Sequence, residues 1–159
     1  MKHLIVSDSS PLIAMLNIEK FELLKHIFSS VTIPSMVAQE IEEGLRPDAS
    51  WFVLKAQGFV VVKPIKDDAR LLLLRLQLDP GESEAILLAD QLGLPLLIDE
   101  KAGRRMAKDM GLQVQGLVGV LYALKQAGYV SVHEMESIVS ALDQVKFRMS
   151  NSLRSLLLN

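Results

Sequence analysis

The sequence has no cysteine. That removes disulfide frameworks, cysteine-ligated zinc, iron–sulfur clusters and thiol nucleophiles. Histidine is scarce: the 159 residues hold only 3, His3, His26 and His133, and they are scattered. A zinc–histidine site is not expected. Aromatic residues make up 5% of the chain, too few for broad base-stacking platforms. No apolar run approaches the roughly 18 residues of a membrane span. In Met1-Lys2-His3-Leu4-Ile5-Val6 the apolar stretch is too short for a secretion signal before Ser7-Asp8-Ser9-Ser10 interrupts it. A soluble, cytoplasmic protein is the expectation. A large charge of one sign is missing too, since 17 basic and 19 acidic residues leave a formal charge of −2. No overall field holds such a chain on a polyanion, so any nucleic-acid contact has to be a local basic patch.

What is present suits one globular domain over residues 1–159: half of the residues are hydrophobic, which argues against disorder and for one substantial core. Short continuous apolar runs at 4–6, 31–33, 59–62, 96–98 and 112–114 read as strands. Helical patterns fall between them, at 12–16, 21–28, 34–44, 67–76, 82–92 and 101–110. Three more helices, over 116–126, 132–142 and 150–158, finish the chain. Ser10 followed by Pro11 reads as a helix cap and first helical position. Apolar strands separated by helices call for a central, mainly parallel sheet covered on both faces, a three-layer α/β/α fold. The helices after about residue 131 pack on its rim or on a partner. Trp51 reads equally as a lid contact, a partner contact or ordinary core.

In open parallel sheets, ligands gather beyond the carboxyl ends of the strands. Asp8 lies just beyond the first strand, and Asp99 and Glu100 just beyond the fourth. Glu40 sits on the helix after the second strand, and Glu82 and Glu84 open the helix before the fourth. Taken singly, each has an ordinary structural reading as a helix cap, an acidic first turn or a solvated helix residue. Together they place acids from four distant segments at one end of the sheet. Clustered carboxylates raise one another's pKa values unless a cation neutralises them. Oxygen donors without cysteine or histidine select a hard ion, Mg²⁺ or Mn²⁺, and the chemistry implied is metal-assisted phosphoester hydrolysis.

Helix geometry limits the membership. Glu82 and Glu84 are about 200° apart around a helix of about 3.6 residues per turn, so both cannot aim at one site. Glu82 shares a face with Ala85, Ile86 and Ala89 and is the favoured ligand, with Glu84 supporting it. Asp99, nearer the strand end, is preferred over Glu100. Ser9 and Ser10 are placed to hydrogen-bond the Asp8 carboxylate or a metal-bound water. Lys101, Arg104, Arg105 and Lys108 share a helical face at i, i+3, i+4 and i+7, which makes a phosphate track or simply a solvated face. Lys146, Arg148 and Arg154 extend that track.

These residues resemble the PIN-domain superfamily of Mg²⁺-dependent ribonucleases, in particular a branch of small prokaryotic proteins described as nucleic-acid-binding. The matching segments are Ile5-Val6-Ser7-Asp8-Ser9-Ser10-Pro11-Leu12, Ile33-Pro34 with Glu40, Gly81-Glu82-Ser83-Glu84-Ala85-Ile86, and Leu96-Leu97-Ile98-Asp99-Glu100 with Arg104. Gly111 to Leu121 and Phe147-Arg148-Met149-Ser150 continue the likeness. The resemblance implies a PIN-like fold and a metal site of Asp8, Glu40, Glu82 or Glu84, and Asp99 or Glu100. It also implies single-stranded RNA as substrate, an antitoxin protein as partner where relatives are toxins of toxin–antitoxin modules, and a homodimer. Glutamate stands where aspartate is frequent at the third acidic position.

Two functions from different classes follow. One is a Mg²⁺- or Mn²⁺-dependent endoribonuclease; the other is a non-catalytic module of the same fold that binds RNA or a protein. Metal affinity separates them. A phosphatase of the two-aspartate kind is disfavoured, because Ser10 stands two residues after Asp8.

Overall fold

The computed structural model describes residues 2–159. β1 (His3–Ser7), β2 (Phe28–Ile33), β3 (Val60–Val62), β4 (Leu96–Leu97) and β5 (Val114–Gln115) form one sheet in the order β3-β2-β1-β4-β5. Every pairing is parallel. Ile5, Val6, Val31, Ile33, Leu96 and Leu97 are fully buried, as strands covered on both faces must be. The covering helices are α1 (Ser9–Asn17), α2 (Ser35–Glu43), α3 (Ser50–Ala56), α4 (Arg70–Arg75), α5 (Pro80–Leu92), α6 (Lys101–Asp109), α7 (Leu117–Gln126), α8 (Val132–Gln144) and α9 (Asn151–Leu158). The result is three layers, α/β/α.

The helix that matters most for the site is α5. Its start is fixed by Asp79, whose Oδ1 accepts the Glu82 N–H at 2.8 Å, with Pro80 at the first helical position. Its end is fixed by Gly93 in the left-handed region, φ 65°. Between them Ile86, Leu87 and Leu88 are buried, each contributing about 1.5–3 kcal/mol by leaving water. One continuous apolar cluster runs from Ile5 to Leu157. α9 lies against α7 and α8, with Leu157 buried while Leu153 and Leu156 stay largely exposed. Among the described residues, no helix is long and apolar enough to cross a membrane.

The structure departs from the sequence reading at several elements: the last strand lies at Val114–Gln115 and not 112–114, and α4 is shorter than the expected 67–76. α1 starts earlier than expected: Asp8, not Ser10, is the capping residue, and it caps without a side-chain bond. Pro11 is tolerated at the third helical position because the amide it lacks has no intrahelical acceptor there. The segment after α1 is a 3₁₀ helix, Phe21–His26, and Phe28 begins β2 instead. α3 lies between the helix expected at 34–44 and the strand expected at 59–62, where the sequence shows no periodic pattern. Trp51 on α3 is fully buried, and its indole N–H donates to Glu42 Oε2 at 3.1 Å, so it is core.

Candidate functional site

β1 is hydrogen-bonded to β2 on one side and to β4 on the other. The chain therefore leaves β1 toward one half of the sheet and returns to its other flank much later. Helix connections diverge at such a reversal and open a crevice beyond the strand ends. Asp8 and the Asp99–Glu100 pair sit at this point, and the Asp8 N–H donates to the Leu97 carbonyl at 2.9 Å, which fixes the first acid to β4.

Asp8 is 1% exposed, and its Oδ1 has no hydrogen-bond partner. Burial pushes its carboxyl from the ordinary 3.8 up to about 7; the Ser9 amide opposes this, and the charges of Asp79, Glu40 and Glu100 add to it. Glu82, in the first turn of α5, is also buried, and its Oε2 is likewise unpartnered. Burial, then the neighbouring Asp79 carboxylate, then Asp8 and Glu100 raise it to about 8. Glu40 reaches in from α2, where its Oε2 accepts the Ser9 hydroxyl at 2.8 Å. Burial raises its pKa, the Ser9 bond lowers it, and the charges of Asp79, Glu43 and Glu84 raise it again.

Missing side chains make room for these acids. A Cβ on Gly81 would lie 2.9 Å from Glu40 Cδ, and one on Gly103 would lie 2.8 Å from Glu82 Oε2 and 2.6 Å from Ile98 Cδ1. Both are closer than real Cβ atoms approach, so glycine on α5 and α6 is what lets Glu40 and Glu82 point where they do.

The structure sends the members of the two ambiguous pairs in different directions. Glu84 turns away from Glu82: its Oε1 accepts the Met36 N–H at 3.2 Å, and Arg75 pairs with it at 3.5 Å. Asp99 turns toward the start of α7, where its Oδ1 accepts the Leu117 N–H at 3.0 Å. Burial raises its pKa, while the Leu117 amide and the Arg104 charge lower it. Its Oδ2 is buried without a partner. Glu100, the capping residue of α6, makes no side-chain cap bond, and its charge acts on Asp8 and Glu82.

The Ser9 hydroxyl thus serves Glu40 rather than Asp8, and Ser10 is exposed on the rim. Arg104 folds inward, its Nη1 donating to the Ile98 carbonyl at 2.8 Å. Lys101, Arg105 and Lys108 are exposed on α6. Asp79 is not among the acids that the sequence singles out. It is the acid that acts on Asp8, Glu40 and Glu82 together. Its signal was available: Asp79-Pro80-Gly81-Glu82 has an N-cap residue, proline at N1 and glutamate at N3.

Among the described residues, no three acidic or imidazole groups converge closely enough to hold an ion as the side chains stand. The donor chemistry nonetheless fits a hard divalent cation. The unpartnered buried atoms are carboxylate oxygens, and such atoms are costly to leave without a hydrogen bond or a counter-charge. The histidines stand elsewhere, at the start of β1, in the 3₁₀ helix and on α8.

A family model described as a PIN domain matches residues 4–159. No curated protein matches the chain. Among solved structures, a PilT N-terminus domain protein from the hyperthermophilic archaeon Sulfolobus solfataricus is similar over 72% of this chain and 87% of its own, with 23% identity and a TM-score of 0.47.

Proposed function

The chain belongs to the PIN-domain family, a nuclease-type fold, and from that premise we propose that it is a divalent-metal-dependent ribonuclease that hydrolyses phosphodiester bonds of single-stranded RNA. One observation carries the reading: the buried, unpartnered oxygens of Asp8 and Glu82 stand among further acids at the β1–β4 crevice. Asp8, Glu40 and Glu82 would hold Mg²⁺ or Mn²⁺, with Glu100 and Asp79 supplying further negative charge. When bound, such an ion activates water and offsets charge on a phosphodiester.

The remaining roles belong to the chain's own residues. Ser9 orients the Glu40 carboxylate through its hydroxyl. Asp99, tied to the Leu117 amide and neighboured by Arg104, anchors the start of α7 at the mouth of the crevice. Lys101 and Arg104 supply positive charge where an RNA backbone would pass. By likeness to toxin relatives, the same reading extends to an antitoxin partner and a homodimer.

The test is cleavage of mixed-sequence single-stranded RNA with Mn²⁺ or Mg²⁺, against EDTA and against Asp8→Asn. Metal-dependent products that vanish in the variant are expected. No cleavage, together with no ion binding by calorimetry, would instead indicate a non-catalytic module of this fold.

A further inference from the structure

Beside the acidic group the surface opens into a cavity of about 950 Å³ that reaches from Glu100 and Lys101 along the start of α7. Its far wall is the turn between α8 and α9, which contributes Lys146, Phe147, Arg148 and Met149. This turn is pinned at both ends. Lys146 adopts φ 63°, a conformation that non-glycine residues seldom take, and the Phe147 N–H closes back on the Leu142 carbonyl at 2.9 Å. On the other side Ser150 Oγ accepts the Leu153 N–H at 3.2 Å and so starts α9. The turn is a shaped wall, not a loose connection.

Its cations are free. Arg154, on α9, is occupied by Asp143 through two bonds of 2.8 Å. Among the described residues, Lys101, Lys146 and Arg148 make no ion pair, and all three are exposed. Phe147, between the two exposed cations of the turn, and Met149, just after them, are half-buried. Across the start of α6 lies a second hollow of about 700 Å³, which shares Glu100 and Lys101 with the first and adds Arg105. The two hollows therefore meet over the N-terminal end of α6, where Glu100 lines both and Asp99 lines the larger.

We propose that single-stranded RNA runs over both hollows, and that a nucleotide flanking the cleaved bond enters the larger cavity with its phosphate on Lys146 and Arg148 and its base against Phe147 and Met149. The proposal rests on the ribonuclease reading above. A cavity of this size accommodates a nucleotide. Only an unpaired base is free to leave its stack and enter, which disfavours a duplex. Lys146 and Arg148 are positioning residues: they set where the chain lies and take no part in bond breaking.

The test separates binding from cleavage. Anisotropy with a short fluorescein-labelled single-stranded RNA in EDTA compares wild type with Lys146→Gln/Arg148→Gln and with Lys20→Gln/Lys25→Gln, an equal charge change outside both hollows. Losing two phosphate contacts on a single strand flattens the salt dependence by about 1.4 log units per decade, so a fourfold rise in salt weakens wild type about sevenfold more than the first variant. Phe147→Ala weakens binding about fivefold or more without changing that slope, with its melting curve as the check on folding. Equal effects of the two double variants, an unchanged slope in the first, or no RNA binding by wild type at low salt would each overturn the proposal. Wild type that binds as expected but never cleaves would overturn the ribonuclease reading alone.

Discussion

Replacing Asp8 by asparagine removes a buried carboxyl with an unpartnered oxygen, and the effect on stability follows from the site's electrostatics. Burial lifts the Asp8 carboxyl from 3.8 to about 7. Since the folded pKa is the higher one, the folded chain keeps the proton while the unfolded chain gives it up. The stability from this group is whole below about pH 4 and is lost as pH rises through about 7. Going from about pH 5 to about pH 8 crosses roughly two pH units of that window, at about 1.4 kcal/mol each, so metal-free wild type loses about 2–3 kcal/mol that the variant retains. For a chain of this size that is roughly 5–10 °C in melting temperature. Glu82, raised to about 8 partly by the Asp8 charge, titrates in both proteins; losing that charge eases its shift in the variant and widens the same gap, so the quantity to measure is the difference between them. Thermal unfolding by circular dichroism in EDTA, at both pH values, supplies it. A gap between variant and wild type that is the same at both would refute the reasoning. Adding Mn²⁺ at about a hundredfold over its Kd should then stabilise wild type by about 2.7 kcal/mol and the variant by much less.

Other outcomes follow from neighbouring geometry. Gly81→Ala forces the Glu40 carboxylate aside, and because that group ends a flexible side chain, the fold stays intact while Mn²⁺ affinity by calorimetry drops about tenfold or more; unchanged affinity would remove Glu40 from the ligand set. Trp51→Phe loses the indole bond to Glu42 and some buried volume. Its urea midpoint should fall by the equivalent of about 1–3 kcal/mol with an unchanged m value, and an unchanged midpoint would contradict a core role for Trp51.

The strands were legible because each is a short apolar run between helices, and a sheet buried on both faces demands that pattern. α3 was hidden for the opposite reason. Ala49 caps it without a side-chain bond, and only Trp51 and Leu54 are buried within its seven residues, too little to register a period. The spacing of Glu82 and Glu84 announced that they diverge. It did not say that Met36 and Arg75 would claim Glu84, because that depends on how α2 and α4 lie against α5. The direction in which Asp99 points was equally out of reach, set by where the start of α7 offers the Leu117 amide. Asp79 is hard to single out because, beside Pro80 and Gly81, it has the look of a break between helices, while its charge acts on side chains that only the fold brings near.

The strand order has a consequence for how the protein is made. Val6 pairs with Thr32 on one side and with Leu96 on the other. A nascent chain that has emerged through β3 already has three adjacent strands, yet Asp8 then faces an open edge where β4 will later lie. Glu82, Asp99 and Glu100 leave the ribosome only afterwards, and forming such a distant pairing is slow compared with local contacts. The acids therefore meet late in synthesis, and a chain released early carries three of the five strands without the assembled acidic group.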